Sequence, residues 1–80
     1  MFFILRLTNV EVGDKVDVRD TEYIWLVATV KFKIECAGRD PLLIIHYDSW
    51  NSYYDEVIKM TSPRLAPYGT YSSRKDLPKY

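Results

Sequence analysis

Residues 24–36 alternate between a wholly apolar face and a mixed face near the centre of this 80-residue chain. The apolar face carries Ile24, Leu26, Ala28, Val30, Phe32, Ile34 and Cys36. Successive side chains of a β-strand point to opposite faces, whereas a helix would scatter these apolar positions around its circumference. The pattern therefore predicts a long, bent strand that buries one face.

Three shorter segments also have strand character. Residues 12–18 alternate from Asp14 onward and predict a first strand. Residues 42–47 are apolar on both faces, which favours a central strand. Residues 54–58 predict a short fourth strand that Tyr54 begins.

These elements together predict an all-β fold, a small and strongly bent β-barrel. A short C-terminal helical turn is expected at residues 62–65, with Ser62 as N-cap and Pro63 at the first helical position. The barrel is assigned to residues 10–68. Residues 1–9 form an N-terminal segment or an extra edge strand, and residues 69–80 form a C-terminal extension.

Composition narrows the functional classes. Lys+Arg and Asp+Glu number 11 each, and this balance lowers the expectation of nucleic-acid binding, which normally uses a basic stripe. The single cysteine, Cys36, cannot form an internal disulfide, which favours an intracellular location, and it is expected to fill the core. The apolar start of the chain is interrupted by Arg6, so neither a membrane span nor a signal peptide is expected.

The sequence lacks the common catalytic signatures. The only histidine, His46, has no paired nucleophile nearby and is expected to be a packed strand residue with one ring nitrogen hydrogen-bonded. Asp55 and Glu56 are neighbours on the predicted strand, so they should point to opposite faces and not share a site. Asn51 and Asp55 are expected to fix the turn by hydrogen bonds. We therefore expect no enzymatic activity, no cofactor and no metal site.

Aromatic residues are concentrated where the predicted strands begin and end. Trp25 begins the long strand, Tyr47 ends the third strand, Trp50 lies in the next turn and Tyr54 begins the fourth strand. In an antiparallel meander, the start of one strand lies beside the end of its neighbour. The four rings are therefore expected to meet at one mouth of the barrel, where they can form a cage for a methylated ammonium ion.

Three further residues are accessory to this predicted cage. Glu22 and Asp48 would add negative charge, and Tyr23 is an alternative to Trp25, because only one of two adjacent rings can face the mouth. Rings at strand ends also plug barrel mouths, so the same set is compatible with a purely structural role. Tyr53, beside Tyr54, has surface packing as its simplest role.

Residues 12–16, 25–30, 45–56 and 62–65 resemble the chromo barrel, or Tudor-knot, family, which occurs in MYST-type histone acetyltransferases and male-specific-lethal complexes. The most specific part is the family signature HY-x-G-W-N-x-x-x-D-E-W. This chain matches it with His46, Tyr47, Trp50, Asn51, Asp55 and Glu56. Ser49 stands where the family has glycine, and Val57 stands where it has the final tryptophan.

The resemblance implies an SH3-like (Tudor-like) barrel and a non-enzymatic, nuclear, chromatin-associated recognition module within a larger protein or complex. Its implied ligand is methylated lysine of a histone tail or another peptide, and its implied cage positions are Trp25, Tyr47, Trp50 and Tyr54. Family members without a working cage bind RNA or partner proteins. The alternatives are therefore a docking or scaffold barrel in a chromatin or ubiquitin-pathway protein, and an RNA- or DNA-binding barrel that uses Lys31, Lys33 and Arg39.

Overall fold

A computed structural model describes residues 9–72. Its elements are β1 (Lys15–Arg19), β2 (Trp25–Ile34), β3 (Leu42–Tyr47), a 3-10 helix (Ser52–Tyr54), β4 (Glu56–Lys59) and β5 (Leu65–Pro67). The strands form one antiparallel sheet in the order β4-β3-β2-β1-β5, curled strongly into a half-barrel. The predicted small, bent all-β fold is confirmed. Apart from Asn9, the predicted N-terminal segment lies outside the described residues, as do residues 73–80.

The core lies on the inner face of the curled sheet. Its buried side chains come mainly from β1, β2 and β3, and they are joined by Val10 and by residues of β4 and β5. Val16, Val18, Leu43 and Ile45 are at most 1% exposed. β3 has β2 on one side and β4 on the other, so its predicted central position is confirmed.

A β-bulge changes which face of β2 is buried. The register with β3 shifts between Val30 and Phe32, so the extra residue reverses the alternation. Phe32 and Ile34 are consequently 59% and 42% exposed. The prediction of one buried face across residues 24–36 is therefore wrong beyond Val30. It is also wrong at Ile24, which precedes β2 and is 52% exposed. Cys36 lies after the strand, half-buried and outside the core.

The helical elements also differ from the prediction. Tyr54 lies in the 3-10 helix and not at the start of β4, which begins at Glu56. The predicted capping bond exists, since Ser62 Oγ accepts from the amide of Arg64 at 3.1 Å. Residues 62–65 nevertheless form only a hydrogen-bonded turn, because the chain enters β5 at Leu65.

Residues 69–72 are attached to β1 by a buried carboxylate. Asp17 is fully buried, although it lies on the opposite face of β1 from the core residues Val16 and Val18. It accepts hydrogen bonds from the backbone amides of Gly69, Tyr71 and Ser72 and from the Ser72 hydroxyl. Burial alone would raise the pKa of Asp17, but these hydrogen bonds outweigh it and hold the pKa below its ordinary value. The beginning of the predicted extension therefore packs on the outer face of the sheet.

From residue 9 to residue 72, the structure contains no helix with the length and hydropathy needed to cross a membrane.

Candidate functional site

Three rings of the predicted cage lie together at the end of β3. The ring centroids of Tyr47 and Trp50 are 6.1 Å apart, and those of Trp50 and Tyr54 are 5.1 Å apart and nearly perpendicular. Tyr53 extends the cluster, with its centroid 5.3 Å from that of Tyr54. These separations are typical of interacting aromatic pairs.

A short, hydrogen-bonded segment holds these rings in place. The amide of Trp50 donates to the carbonyl oxygen of Tyr47 at 3.0 Å, which closes the turn after β3. Asn51 then caps the 3-10 helix, because its side-chain oxygen accepts from the amide of Tyr53 at 2.7 Å. The predicted role of Asn51 in fixing this turn is confirmed.

The rings border a cavity of about 340 Å³. Its lining residues are Asp20, Thr21, Glu22, Tyr47, Trp50, Tyr53, Tyr54, Asp55 and Glu56. Tyr47 is only 3% exposed, whereas Trp50 and Tyr54 are 40% and 50% exposed. Tyr47 is therefore the floor of the cavity, and the other two rings are accessible walls.

A polar network fixes the floor. The Tyr47 hydroxyl donates to Glu56 Oε2 at 2.6 Å, and the Arg64 guanidinium donates to the same oxygen at 2.8 Å. Burial, reinforced by the hydrogen bond to the negative Glu56, raises the pKa of Tyr47. Burial would also raise the pKa of Glu56, but the hydrogen bonds from Arg64 and Tyr47 lower it below its ordinary value. Tyr47 thus stays neutral and Glu56 stays charged at neutral pH.

The remaining carboxylates have different surroundings. Asp55 lies 2.7 Å from His46 Nδ1, which confirms the expected hydrogen bond of that ring. Asp20 accepts from the backbone amides of Glu22 and Ile24. Glu22 is exposed, and its side chain has no hydrogen bond or ion pair within residues 9–72. It is therefore the carboxylate best placed to meet an incoming cation.

Asp55 and Glu56 both border the cavity, but their carboxylates lie toward opposite faces of the sheet. Asp55 pairs with His46 and Glu56 pairs with Tyr47, and these two partners are neighbours on β3. This agrees with the expectation that the two side chains point to opposite faces. Asp20, Asp55 and Glu56 were missed as lining residues, as was Arg64 as the partner of Glu56. The only signal for Asp55 and Glu56 was their place in the aromatic segment.

Trp25 lies away from the three rings. Ala28 pairs with Tyr47 across the β2–β3 ladder, and Trp25 is three positions from Ala28. Residues an odd number of positions apart point to opposite faces of a strand, so Trp25 faces outward while Tyr47 faces inward. Its ring stacks on Tyr71 with centroids 4.3 Å apart, and the Arg19 guanidinium carbon lies 5.9 Å from its centroid. The expected convergence of four rings is therefore reduced to three.

Two of the three predicted accessory residues also lie elsewhere. Tyr23 adopts a positive φ of 65°, its ring is 77% exposed, and the Arg19 guanidinium carbon lies 5.2 Å from the ring centroid. Asp48 is bound by Lys15 and Thr29. These hydrogen bonds outweigh burial and lower the pKa of Asp48. Of the three, only Glu22 lines the cavity.

The other candidate chemistries have less support among the described residues. The ammonium of Lys33, one of three cations predicted to contact phosphates, lies 3.5 Å from both Glu11 and Glu35. Residues 9–72 contain no group of three or more His, Cys, Asp or Glu side chains arranged to hold a metal ion. Comparison with models of known protein families and with curated proteins found no match for this chain.

Proposed function

We propose that this protein is a non-enzymatic, chromatin-associated recognition module that binds a methylated lysine of a histone tail in the nucleus. The observation that carries the proposal is the ring cavity, in which Tyr47, Trp50 and Tyr54 lie beside the exposed residue Glu22. The resemblance of residues 45–56 to the chromo barrel signature points to the same ligand class.

The chemistry of the cavity suits a methylated ammonium ion. Such a cation is attracted to ring faces by about 0.5–1 kcal/mol at exposed sites and about 2 kcal/mol when it is desolvated. Trp50 and Tyr54 are already oriented by contact with each other, so binding would order few side chains. The site is small and half-open, and we therefore expect weak affinity that rises with peptide contacts outside the cavity.

The first test is titration with unmodified, mono-, di- and trimethylated histone-tail peptides, followed by NMR. The Trp50 indole signal should shift in a methylation-dependent manner. The Trp25 indole is the internal control, because its ring faces the opposite side of the sheet and should shift little. Absence of any methylation-dependent shift at Trp50, Tyr47 and Tyr54 would contradict the proposal.

A docking or scaffold barrel is the second candidate, favoured by the mutual packing of the three rings. The substitution Trp50→Ala separates the two. Because Trp50 is 40% exposed, the recognition module should remain folded, with a loss of stability of about 1–2 kcal/mol. Its affinity for the methylated peptide should fall about tenfold or more. Unfolding of this variant in thermal denaturation would instead support a ring cluster that seals the barrel.

A further inference from the structure

The outer edge of β4 offers backbone groups for hydrogen bonding. The amide of Met60 donates to the carbonyl oxygen of Pro41 at 2.9 Å, which fixes the phase of the β3–β4 ladder. Bonded and non-bonded pairs alternate in an antiparallel ladder, so Ile58 bonds to β3. Val57 and Lys59 consequently direct their amides and carbonyls away from β3. No described residue bonds to either backbone group of Val57.

A cleft of about 360 Å³ runs beside this edge. After β4 the chain reverses, because the amide of Ser62 donates to the carbonyl oxygen of Lys59 at 2.9 Å. The cleft is lined by Val57, Ile58, Lys59, Thr61, Ser62, Pro63 and Arg64. The Val57 side chain at its wall is 59% exposed. The cleft is therefore bordered by a strand edge on one side and by the returning loop on the other.

The cleft and the ring cavity meet at one ion pair. Arg64 lines the cleft, Glu56 lines the cavity, and their side chains lie 2.8 Å apart. Glu56 points toward the rings, since it accepts from the Tyr47 hydroxyl, and Val57 points the opposite way. If a peptide strand pairs with β4, its residue opposite Val57 points the same way as Val57. The neighbouring residues of the peptide then point the same way as Glu56. That direction leads into the ring cavity.

We propose that the ligand peptide adds to β4 as an extended strand, exchanging backbone hydrogen bonds with Val57 while its methylated lysine enters the ring cavity. This inference rests on the proposed function and specifies its ligand as an extended segment with free backbone amides beside the lysine. The exposed side chain of Glu22 borders the cavity, and its negative charge complements a basic peptide. Strand addition supplies affinity through main-chain bonds, and the cavity supplies the side-chain specificity.

The substitution Val57→Pro tests the strand edge without touching a ring. Proline removes the outward amide, which has no described partner in the sheet, and an edge strand tolerates it. We expect binding of a trimethyl-lysine histone-tail peptide to weaken about tenfold, the effect of one or two lost hydrogen bonds. Val57→Ala retains the amide and is the matched control, which should bind this peptide like the wild type.

A second ligand distinguishes failure of this inference from failure of the proposed function. The single residue Nα-acetyl-Nε-trimethyl-lysine amide should bind wild type and Val57→Pro equally, because the rings are intact in both. Equal binding of the histone-tail peptide to both proteins would overturn strand addition but would not contradict the proposed methyl-lysine cage. Absence of ring shifts with either ligand would overturn both.

A change in the peptide keeps the test valid if the proline variant does not fold. N-methylation of the backbone amides beside the lysine should weaken binding to the wild-type protein about tenfold. Unchanged affinity of the N-methylated peptide would overturn strand addition.

Discussion

Glu22 and Glu56 border the same cavity, but their surroundings give them different functions. Glu56 holds Tyr47 and Arg64, whereas Glu22 is exposed and has no side-chain partner within residues 9–72. We predict that Glu22→Gln weakens binding of a trimethyl-lysine peptide about two- to fivefold, the range of a surface ion pair. The melting temperature should stay unchanged. Affinity can be measured by NMR titration at low and high salt, and the loss should shrink as salt rises.

Glu35→Gln is the matched control for Glu22→Gln. It removes one exposed negative charge from the far end of β2, next to Lys33 and away from the cavity. It should leave peptide affinity within error of the wild type. An equal loss in both variants would mean that net charge, and not the position of Glu22, governs binding.

At the scale of elements, the attachment of residues 69–72 to β1 depends on Asp17. Asparagine offers a single acceptor oxygen and turns two donor hydrogens toward backbone amides. We therefore predict that Asp17→Asn lowers the free energy of unfolding by about 2–3 kcal/mol, since a buried, charged acceptor loses several bonds. Ser72→Ala removes only the hydroxyl bond and should cost about 1 kcal/mol. Urea denaturation followed by tryptophan fluorescence measures both losses.

Glu22→Gln also serves as the charge control for Asp17→Asn, because it removes the same charge from an exposed site. If Asp17→Asn were as stable as Glu22→Gln, the hydrogen bonds between Asp17 and residues 69–72 would contribute nothing to the stability of the fold.

Strands β1 to β4 were predictable from local sequence patterns, whereas β5, which is three residues long, begins where a helical turn was expected. Alternation located β2 and a continuous apolar run located β3. The apolar residues at positions 32 and 34 nevertheless continued the pattern of β2 through the bulge and concealed the change of buried face. The inward placement of Tyr47 and the outward placement of Trp25 depend on cross-strand register, which a single strand's pattern does not contain. The burial of Asp17 depends on a segment 52 to 55 residues away in the chain.

The candidate site was predictable where it is local in sequence. Tyr47 ends β3, Trp50 lies in the next turn and Tyr54 ends the 3-10 helix, so their proximity follows from their closeness in the sequence. The Glu56–Arg64 pair beneath them requires the chain to reverse after β4, and Glu22 comes from the turn between β1 and β2. Asp20 and Glu22, from the distant segment, are two of the four acidic residues that border the cavity.

At the scale of the whole molecule, three carboxylates among residues 9–72 link stability to pH. The pKa values of Asp17, Asp48 and Glu56 are all lower in the folded state than their ordinary values. As the pH falls, these groups therefore bind protons in the unfolded chain before they do so in the folded protein. Their contribution to the free energy of unfolding is complete above the unfolded pKa values of about 4, and it is lost as the pH falls through the lower pKa values of the folded state. We predict a free energy of unfolding that changes little through these groups from pH 7 to 5 and declines steeply below about pH 4.

Asp17→Asn identifies how much of this acid sensitivity comes from the attachment of residues 69–72. The variant lacks one carboxylate that binds a proton more weakly in the folded state, so its free energy of unfolding should decline less steeply with acid than that of the wild type. Urea denaturation of both proteins from pH 7 to pH 2.5 gives the two slopes. The difference between the proteins should be largest at neutral pH and should narrow as the wild-type Asp17 becomes protonated. Parallel curves would show that the acid response arises from other groups. Glu56 beneath the ring cavity and Asp48 beside Lys15 are two further carboxylates of lowered pKa.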